Sequence, residues 1–430
     1  MKNLDYRSLT FTSVAIALFA GGAVAQQGHV LNGVGAVNQG MAGVATGLPN
    51  DASGAIQWNP ATVSAIDCCD MQFSMELFQS DLEMYSAVTV PGPMSGSTDS
   101  DLGLAAIPSF AMVHELGDSD WTFGLGAFGV AGFGVDFAAD ASNPILMPPP
   151  NGFGQIFSDY QMLQVLPTFS KQVDEHWSFG FAPTINQARL SVHPAPFASP
   201  DDANGDLTPS YPSASAGADA WGFGGQIGVF YDSLDDWTFG ASYKTTQNFE
   251  TFEFNAVDEV GMPRMLKFDM DFPAITSLGI GYTGIDRWKM GLDIRHIDYA
   301  NTDGFSESGF DLTGAAKGFG WDSISVVALA AQYEASPNLT LRGGLSFNDS
   351  PIDAGNVGMN LPAPAIIEQH LALGATYKIT EHMLLDVAWH HGFENDVAGE
   401  MQMPTGPVAG STVQPTMSTD SLIFGLRLAL

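Results

Sequence analysis

Basic side chains are scarce in this chain: 14 Lys and Arg stand against 47 Asp and Glu, for a net charge of −33. Those that fall inside apolar-alternating stretches are the ones able to do chemistry. Lys244, Lys267, Arg295, Arg342 and Arg427 occupy such stretches, as do the acids Asp293, Glu334 and Asp386. A charge held among apolar residues is costly unless paired. Two readings follow: structural ion pairs across an interior, or cations that meet an anionic headgroup. Other polar groupings are weaker. His114-Glu115 lacks the second histidine of a zinc helix, and neither a nucleophile elbow nor a phosphate loop occurs. His390 and His391 would point to opposite faces of a strand and cannot chelate together. Asp202, Asn204 and Asp206 have calcium-loop spacing, but Leu207 and Ser213 stand where that loop needs Gly and Glu. These patterns lead us to expect no catalytic residue, no metal and no cofactor. The charge excludes a general nucleic-acid binder. It reads either as solubility or as divalent-cation binding near an anionic surface.

What must position the cations is a set of strands. Period-two alternation predicts fourteen, near 71–80, 105–116, 121–133, 159–172, 177–191, 219–232, 237–250, 265–283, 288–299, 323–334, 339–348, 369–378, 383–393 and 420–430. The run 265–283 is read as one strand with an irregularity at Pro273, because its apolar residues keep one parity. Six short connections of about four residues then alternate with seven long ones. Trp121, Trp177, Trp237 and Trp288 each follow a short polar turn. Tyr231, Tyr282, Tyr333 and Tyr377 end the runs that enter such turns. Rings gathered at one end of many hairpins form an interfacial girdle, since indole and phenol prefer the headgroup level of a bilayer. Charged residues are 14%, against roughly 25% in soluble domains, and no stretch after residue 25 offers the 18 apolar residues of a membrane helix. The fold expected is all-β: a 14-stranded antiparallel transmembrane β-barrel. Parity sends Leu422, Phe424 and Leu426 towards lipid. It sends Lys244, Lys267, Arg295, Arg342 and Arg427 into the lumen, because lipid-facing charge costs about 2–4 kcal/mol at the midplane.

Residues 1–25 read as a secretory signal, with Lys2 and Arg7, an apolar stretch, and Ala23-Val24-Ala25 before cleavage. Residues 26–66 lack sustained alternation and suggest short helical turns joined by glycines, folded into the lumen as a plug. A flexible tail is the alternative. Residues 67–430 make the barrel. Cys68 and Cys69 are the only cysteines, either a strained vicinal disulfide or two thiols.

The plug segment resembles the FadL family of outer-membrane channels for long-chain fatty acids and other hydrophobic compounds. The matching residues are Gly28-x-x-Leu31-Asn32, Gly33-x-Gly35-Ala36, Gly40-x-x-Gly43, Asp51-Ala52 and Trp58-Asn59-Pro60-Ala61. A second match is Gly344 to Pro351, then Leu361-Pro362 and Gln369-His370 through Lys378. The chain departs from outer-membrane habit by ending in Leu430 rather than an aromatic residue. The resemblance implies an N-terminal hatch that gates the lumen and a kinked third strand that opens the wall sideways. Asn59, Pro60 and Ala61 would then stiffen the plug joint and set it against strand three. Gly124, Gly126, Gly129, Gly132 and Gly134 would form the lateral opening, or else leave packing room for the plug. Lys244, Lys267, Arg295 and Arg342 would be headgroup contacts. Long-chain fatty acids are the first expected ligand, and aromatic or alkane hydrocarbons the second. The partners implied are a hydrophobic small molecule, outer-membrane lipid and lipopolysaccharide, and the assembly machinery. A monomer with both termini periplasmic is expected. An outer-membrane barrel lipase would need a Ser/His pair that the sequence does not assemble. A structural or adhesion barrel would not explain a plug.

Overall fold

The computed structural model describes residues 26–66, 70–89, 92–117 and 119–429. The signal segment and Cys68-Cys69 lie outside the described residues. Fourteen antiparallel strands close a barrel. In chain order these are β1 (Asp70–Val88), β2 (Ala105–Glu115), β3 (Trp121–Phe137), β4 (Ile156–Gln172), β5 (Trp177–His193), β6 (Ala214–Asp232) and β7 (Trp237–Lys244). Then come β8 (Ile275–Tyr282), β9 (Trp288–Ile297), β10 (Ile324–Ser336), β11 (Leu339–Asn348), β12 (Gln369–Thr380), β13 (Met383–Asp396) and β14 (Ser411–Ala429). Each strand pairs with its neighbours in sequence, and β1 closes on β14 from Asp70↔Ala429 upward. Closure removes the free edges that would otherwise need covering.

Alternation decides the faces. Leu422, Phe424 and Leu426 are exposed on the outer wall while Ile423 is buried. On β9, Ile294 is exposed while Asp293 and Arg295 are buried. At the short-turn rim the aromatic girdle forms by cross-strand pairs: Trp177 with Tyr231, Trp237 with Tyr282 and Trp288 with Tyr333, ring centroids 4.7, 4.5 and 4.7 Å apart.

The expected strands 237–250 and 265–283 are corrected. β7 stops at Lys244 and β8 starts at Ile275. Between them Phe252–Val257 pairs with Pro263–Phe268 as a hairpin of its own at the long-loop rim. The run ends at Phe268, and Pro273, which has no N–H to give a ladder, lies in the gap before Ile275. The shared parity had a different cause. Phe252, Phe254, Leu266, Met270 and Phe272 are buried beneath the loops, not against lipid. β1 also outruns its expected length and pairs with Met94–Asp99 above the barrel.

Residues 26–66 fill the lumen. Helix α1 (Gly35–Gln39), helix α2 (Ala52–Trp58) and a 3-10 turn (Pro60–Ala65) carry almost wholly buried side chains. Asp51 starts α2 by accepting the Gly54 N–H. The described chain begins deep inside: Gln26 is buried, and its side chain meets His390 of β13 at 3.2 Å. The strand ends Asp70 and Ala429 sit together at the short-turn rim, but Gln26 does not.

Candidate functional site

Three clasps hold the plug to the wall. On β9, Asp293 accepts the N–H groups of Ala45 and Thr46, both at 2.9 Å, and pairs with Arg295 at 2.9 Å. Arg295 in turn donates to the Gly43 carbonyl and lies 3.7 Å from the centroid of the Trp58 ring. On β12 and β13, His370 reaches the Gln26 carbonyl at 3.1 Å, and His390 meets Asn32 at 2.8 Å. The third clasp is Asn59-Pro60-Ala61. Asn59 donates to the carbonyls of Thr46 (2.8 Å) and Val229 (3.1 Å), and its oxygen accepts the Ala61 N–H. A Cβ at Gly180 or Gly228 would run into Pro60 or Asn59, so β5 and β6 lend their glycines to this joint. The joint itself packs on β4, β5 and β6, with Ser170 of β4 donating to the Ala61 carbonyl, while the plug it carries meets β3.

The cations divide. Lys244, Arg295, Arg342 and Arg427 do point inward. Arg427 pairs with Asp386 at 2.8 Å, and Arg342 donates to Gln332 and Thr376 beside that pair. Arg295 is bound into the plug. These three are thus paired or hydrogen-bonded within the protein. Lys244 differs: it is buried, and its ammonium is held by Gln57 of the plug (3.3 Å) and Gln164 of β4 (2.8 Å), with no carboxylate among these partners. Lys267 is corrected. It lies on the outer hairpin, paired with Glu253 at 2.6 Å and largely exposed, because its stretch never enters the wall. Glu334 is also exposed, at the end of β10. Asp202, Asn204 and Asp206 spend their oxygens on nearby loop groups, and among the described residues no metal-binding group of His, Cys, Asp and Glu converges.

The five glycines of β3 serve two ends. A Cβ on Gly124 would lie 3.2 Å from Ile56 of α2. One on Gly126 would come within 2.8 Å of the same side chain. These two make room for the plug. Beyond Phe128 the strand changes course. Its ladder with β2 ends at Ser109↔Phe128, and a bulge shifts register between Gly129 and Ala131. Pro108 of β2 has no N–H with which to continue that ladder. The edge so freed pairs with the plug. Leu31 donates to the Val130 carbonyl, Gly132 donates to the His29 carbonyl, each at 3.0 Å, and Val30 bridges Ala131. Residues 130–135 of β3 are buried on both faces, as a strand drawn inward must be. A Cβ on Gly129 would lie 2.5 Å from Ile107 of β2, and one on Gly134 2.8 Å from Leu102. Outside the wall, next to this kink, lies an apolar groove of 680 Å³. Phe73, Met75, Pro108, Phe110, Leu163 and Phe424 line it, and the lumen-parity residues Ser74, Ser109 and Gly425 also border it.

At the long-loop rim three cavities share walls. A mouth of 550 Å³ has Asp206, Glu259, Tyr211 and Met401 in its lining. It shares Phe153, Pro194 and Tyr211 with a 50 Å³ cavity. That one shares Pro196, Met359 and Pro362 with a 30 Å³ cavity walled by Phe133, Phe197, Phe268 and Phe319. Phe133 stacks on Tyr160 at 5.0 Å and Phe319 on Phe305 at 5.4 Å. Tyr160 and Phe305 both touch the His29 ring, at 5.8 and 4.8 Å. Sequence reasoning missed this aromatic shell. Its members come from β3 and β4, from three long connections and from the plug, and no spacing along the chain ties them together. Burial holds the His29 imidazole neutral, its pKa lowered to about 3.

Comparison with known proteins places this geometry. The family model for outer membrane protein transport proteins (OMPP1/FadL/TodX) matches residues 16–429. The long-chain fatty acid transport protein of Salmonella typhi is 22% identical over 401 residues, covering 85% of this chain and 87% of that one. Among solved structures, a Pseudomonas aeruginosa FadL homologue superposes with TM-score 0.72 at 16% identity, covering 94% of this chain and 99% of that one. The P. putida toluene transporter TodX does so with TM-score 0.69 at 19% identity, covering 93% and 99%. A plugged fourteen-strand barrel matched by that family model along nearly its whole length belongs to the OMPP1/FadL/TodX family, and is an outer-membrane transporter of hydrophobic compounds.

Proposed function

We propose that this channel takes up weakly polar or neutral hydrophobic molecules passively from the outside and releases them sideways, with the plug as the gate. The long-loop rim faces outward and the short-turn rim faces the periplasm. The observation that carries the reading is the lining. Aromatic and aliphatic side chains run from the inner rim cavities to the shell around His29, and an apolar groove waits outside the wall where β3 bends in. A hydrocarbon gains about 0.8 kcal/mol for each CH₂ buried along such a path, and a polar solute gains nothing. Among the described residues no cation lines the two inner cavities, which favours aromatic or alkane cargo over a carboxylate.

A second reading, long-chain fatty acid uptake, is supported by Lys244, buried without an acid partner among its contacts. The experiment compares cells that express this chain with cells carrying an empty vector, for uptake of labelled toluene and labelled palmitate. Faster toluene entry supports the first reading. Palmitate uptake that falls in Lys244→Met while toluene uptake holds supports the second. No gain for either compound refutes both.

A further inference from the structure

The His29 imidazole sits where a ligand ring would fit. Five aromatic rings enclose it: Phe305 stacked at 4.8 Å with planes 18° apart, Phe272 edge-on at 5.4 Å, Tyr299 at 5.5 Å, Tyr160 at 5.8 Å and Trp321 at 6.0 Å. The ring is fully buried, and among the described residues its Nε2 has no hydrogen-bond partner. That vacancy persists in either tautomer, because only Nδ1 reaches a polar atom, the Tyr299 hydroxyl at 3.0 Å. A buried polar atom left unpaired is destabilising. The imidazole is therefore a poor occupant of a good aromatic site. The neighbouring residues hold it there. Gly28 turns at φ +64° with no room for a Cβ beside Tyr299, and the His29 carbonyl is bonded to Gly132 of the kinked strand.

We propose that this shell is a binding site for a flat aromatic ring bearing one hydroxyl, such as a phenol. In the resting channel the plug's own His29 fills it as a built-in competitor. The inference rests on the hydrophobic-channel reading and names its substrate class. The hydroxyl follows from Tyr299, which serves the His29 N–H, the imidazole and the Gln27 carbonyl. Once the plug segment leaves, that phenol loses all three. A ligand hydroxyl replaces what a plain hydrocarbon leaves unpaired. Entry also pulls His29 from Gly132 and so frees the inner edge of β3 beside the wall groove.

The test is calorimetric titration of the detergent-solubilised full chain with p-cresol, toluene and n-heptane. His29→Ala removes the competitor and should bind p-cresol at least about tenfold tighter than the wild type, since the cost of emptying the site is gone. The order should be p-cresol, then toluene, then heptane. Adding Tyr299→Phe should erase the preference for cresol over toluene but keep the ring bound. His29→Phe refills the shell and should bind neither. In the wild type, saturating p-cresol should deprotect the amides of Leu31 and Gly132 in hydrogen exchange. A folded His29→Ala with no gain for any ring, heptane binding as tightly as toluene, or unchanged protection at Leu31 and Gly132 overturns the proposal. None of these measurements needs transport. A wild-type channel that fails to carry toluene into cells refutes the function and leaves the site standing.

Discussion

Replacing Asp293 with alanine should unseat the plug and spare the barrel. Asp293 holds the Ala45 and Thr46 amides and neutralises Arg295, all fully buried. Removing one member of a buried ion pair costs about 3–5 kcal/mol, because the surviving charge is stranded. Here the cost falls on one equilibrium. Arg295 is stranded only while the plug covers it. When the plug leaves, water reaches the guanidinium and the penalty ends. The seated-to-open ratio should therefore fall by about a hundredfold or more, at about 1.4 kcal/mol per tenfold. Hydrogen exchange reads this best at α2, where the Ala55 and Asn59 amides bond within the plug and do not touch Asp293. Their protection should drop by the same factor while the barrel keeps its heat-modifiable mobility. The double variant Asp293→Leu, Arg295→Met should recover part of the loss, because it leaves no charge behind, with a coupling of about 1–3 kcal/mol. If α2 protection is unchanged in Asp293→Ala, or if strand amides lose protection equally, the clasp does not act as argued.

Gly129→Leu and Gly132→Leu should cut hydrophobic uptake while the barrel still folds, whereas Gly126→Leu should displace α2 by crowding Ile56; equal uptake in all three would leave the kink without a transport role. Burial raises the Asp51 carboxyl of the plug from 3.8 to about 7. The seated plug thus holds a proton that the solvated segment gives up, so seating is strongest below pH 3.8 and weakens as pH rises through 7. Asp51→Asn should flatten that profile in exchange measured at α2, since Asn caps the helix equally well. Lys267→Met should leave uptake of palmitate and toluene alike unchanged, because its ammonium faces solvent on the outer hairpin; a selective loss of palmitate uptake would restore its headgroup role.

The barrel was legible because its physics is local in sequence. A lipid-facing strand must alternate, and a girdle must put its rings where strands turn, so Trp177, Trp237 and Trp288 mark the rim before any coordinate is known. The same rule misleads above the membrane. Leu266, Phe268, Met270 and Phe272 alternate as well as any lipid-facing run, yet they bury into a loop core, which also rewards period two. Parity cannot say which apolar phase receives the face. Pro273 lies in the gap between the hairpin and β8, but Pro183 and Pro415 sit inside wall ladders, so a proline is a preference too and does not decide the break by itself.

The site divided along a similar line. The inward direction of Lys244, Arg295, Arg342 and Arg427 follows from parity, so all four were legible as lumen residues. Their roles were not. Whether a lumen charge is spent or available depends on what the plug brings to it, and the plug folds by contacts some 250 residues apart, such as Asp293 with Thr46 and His29 with Tyr299. The glycines of β3 show why such a segment stays ambiguous in sequence. Gly124 and Gly126 are small because α2 packs on them, while Gly129 sits at the bulge where β3 turns from β2 to the plug. One composition thus serves two mechanical ends within one strand. The boundary between them is Phe128, the last residue that still pairs with β2, while the ladder with β4 runs on to Phe137.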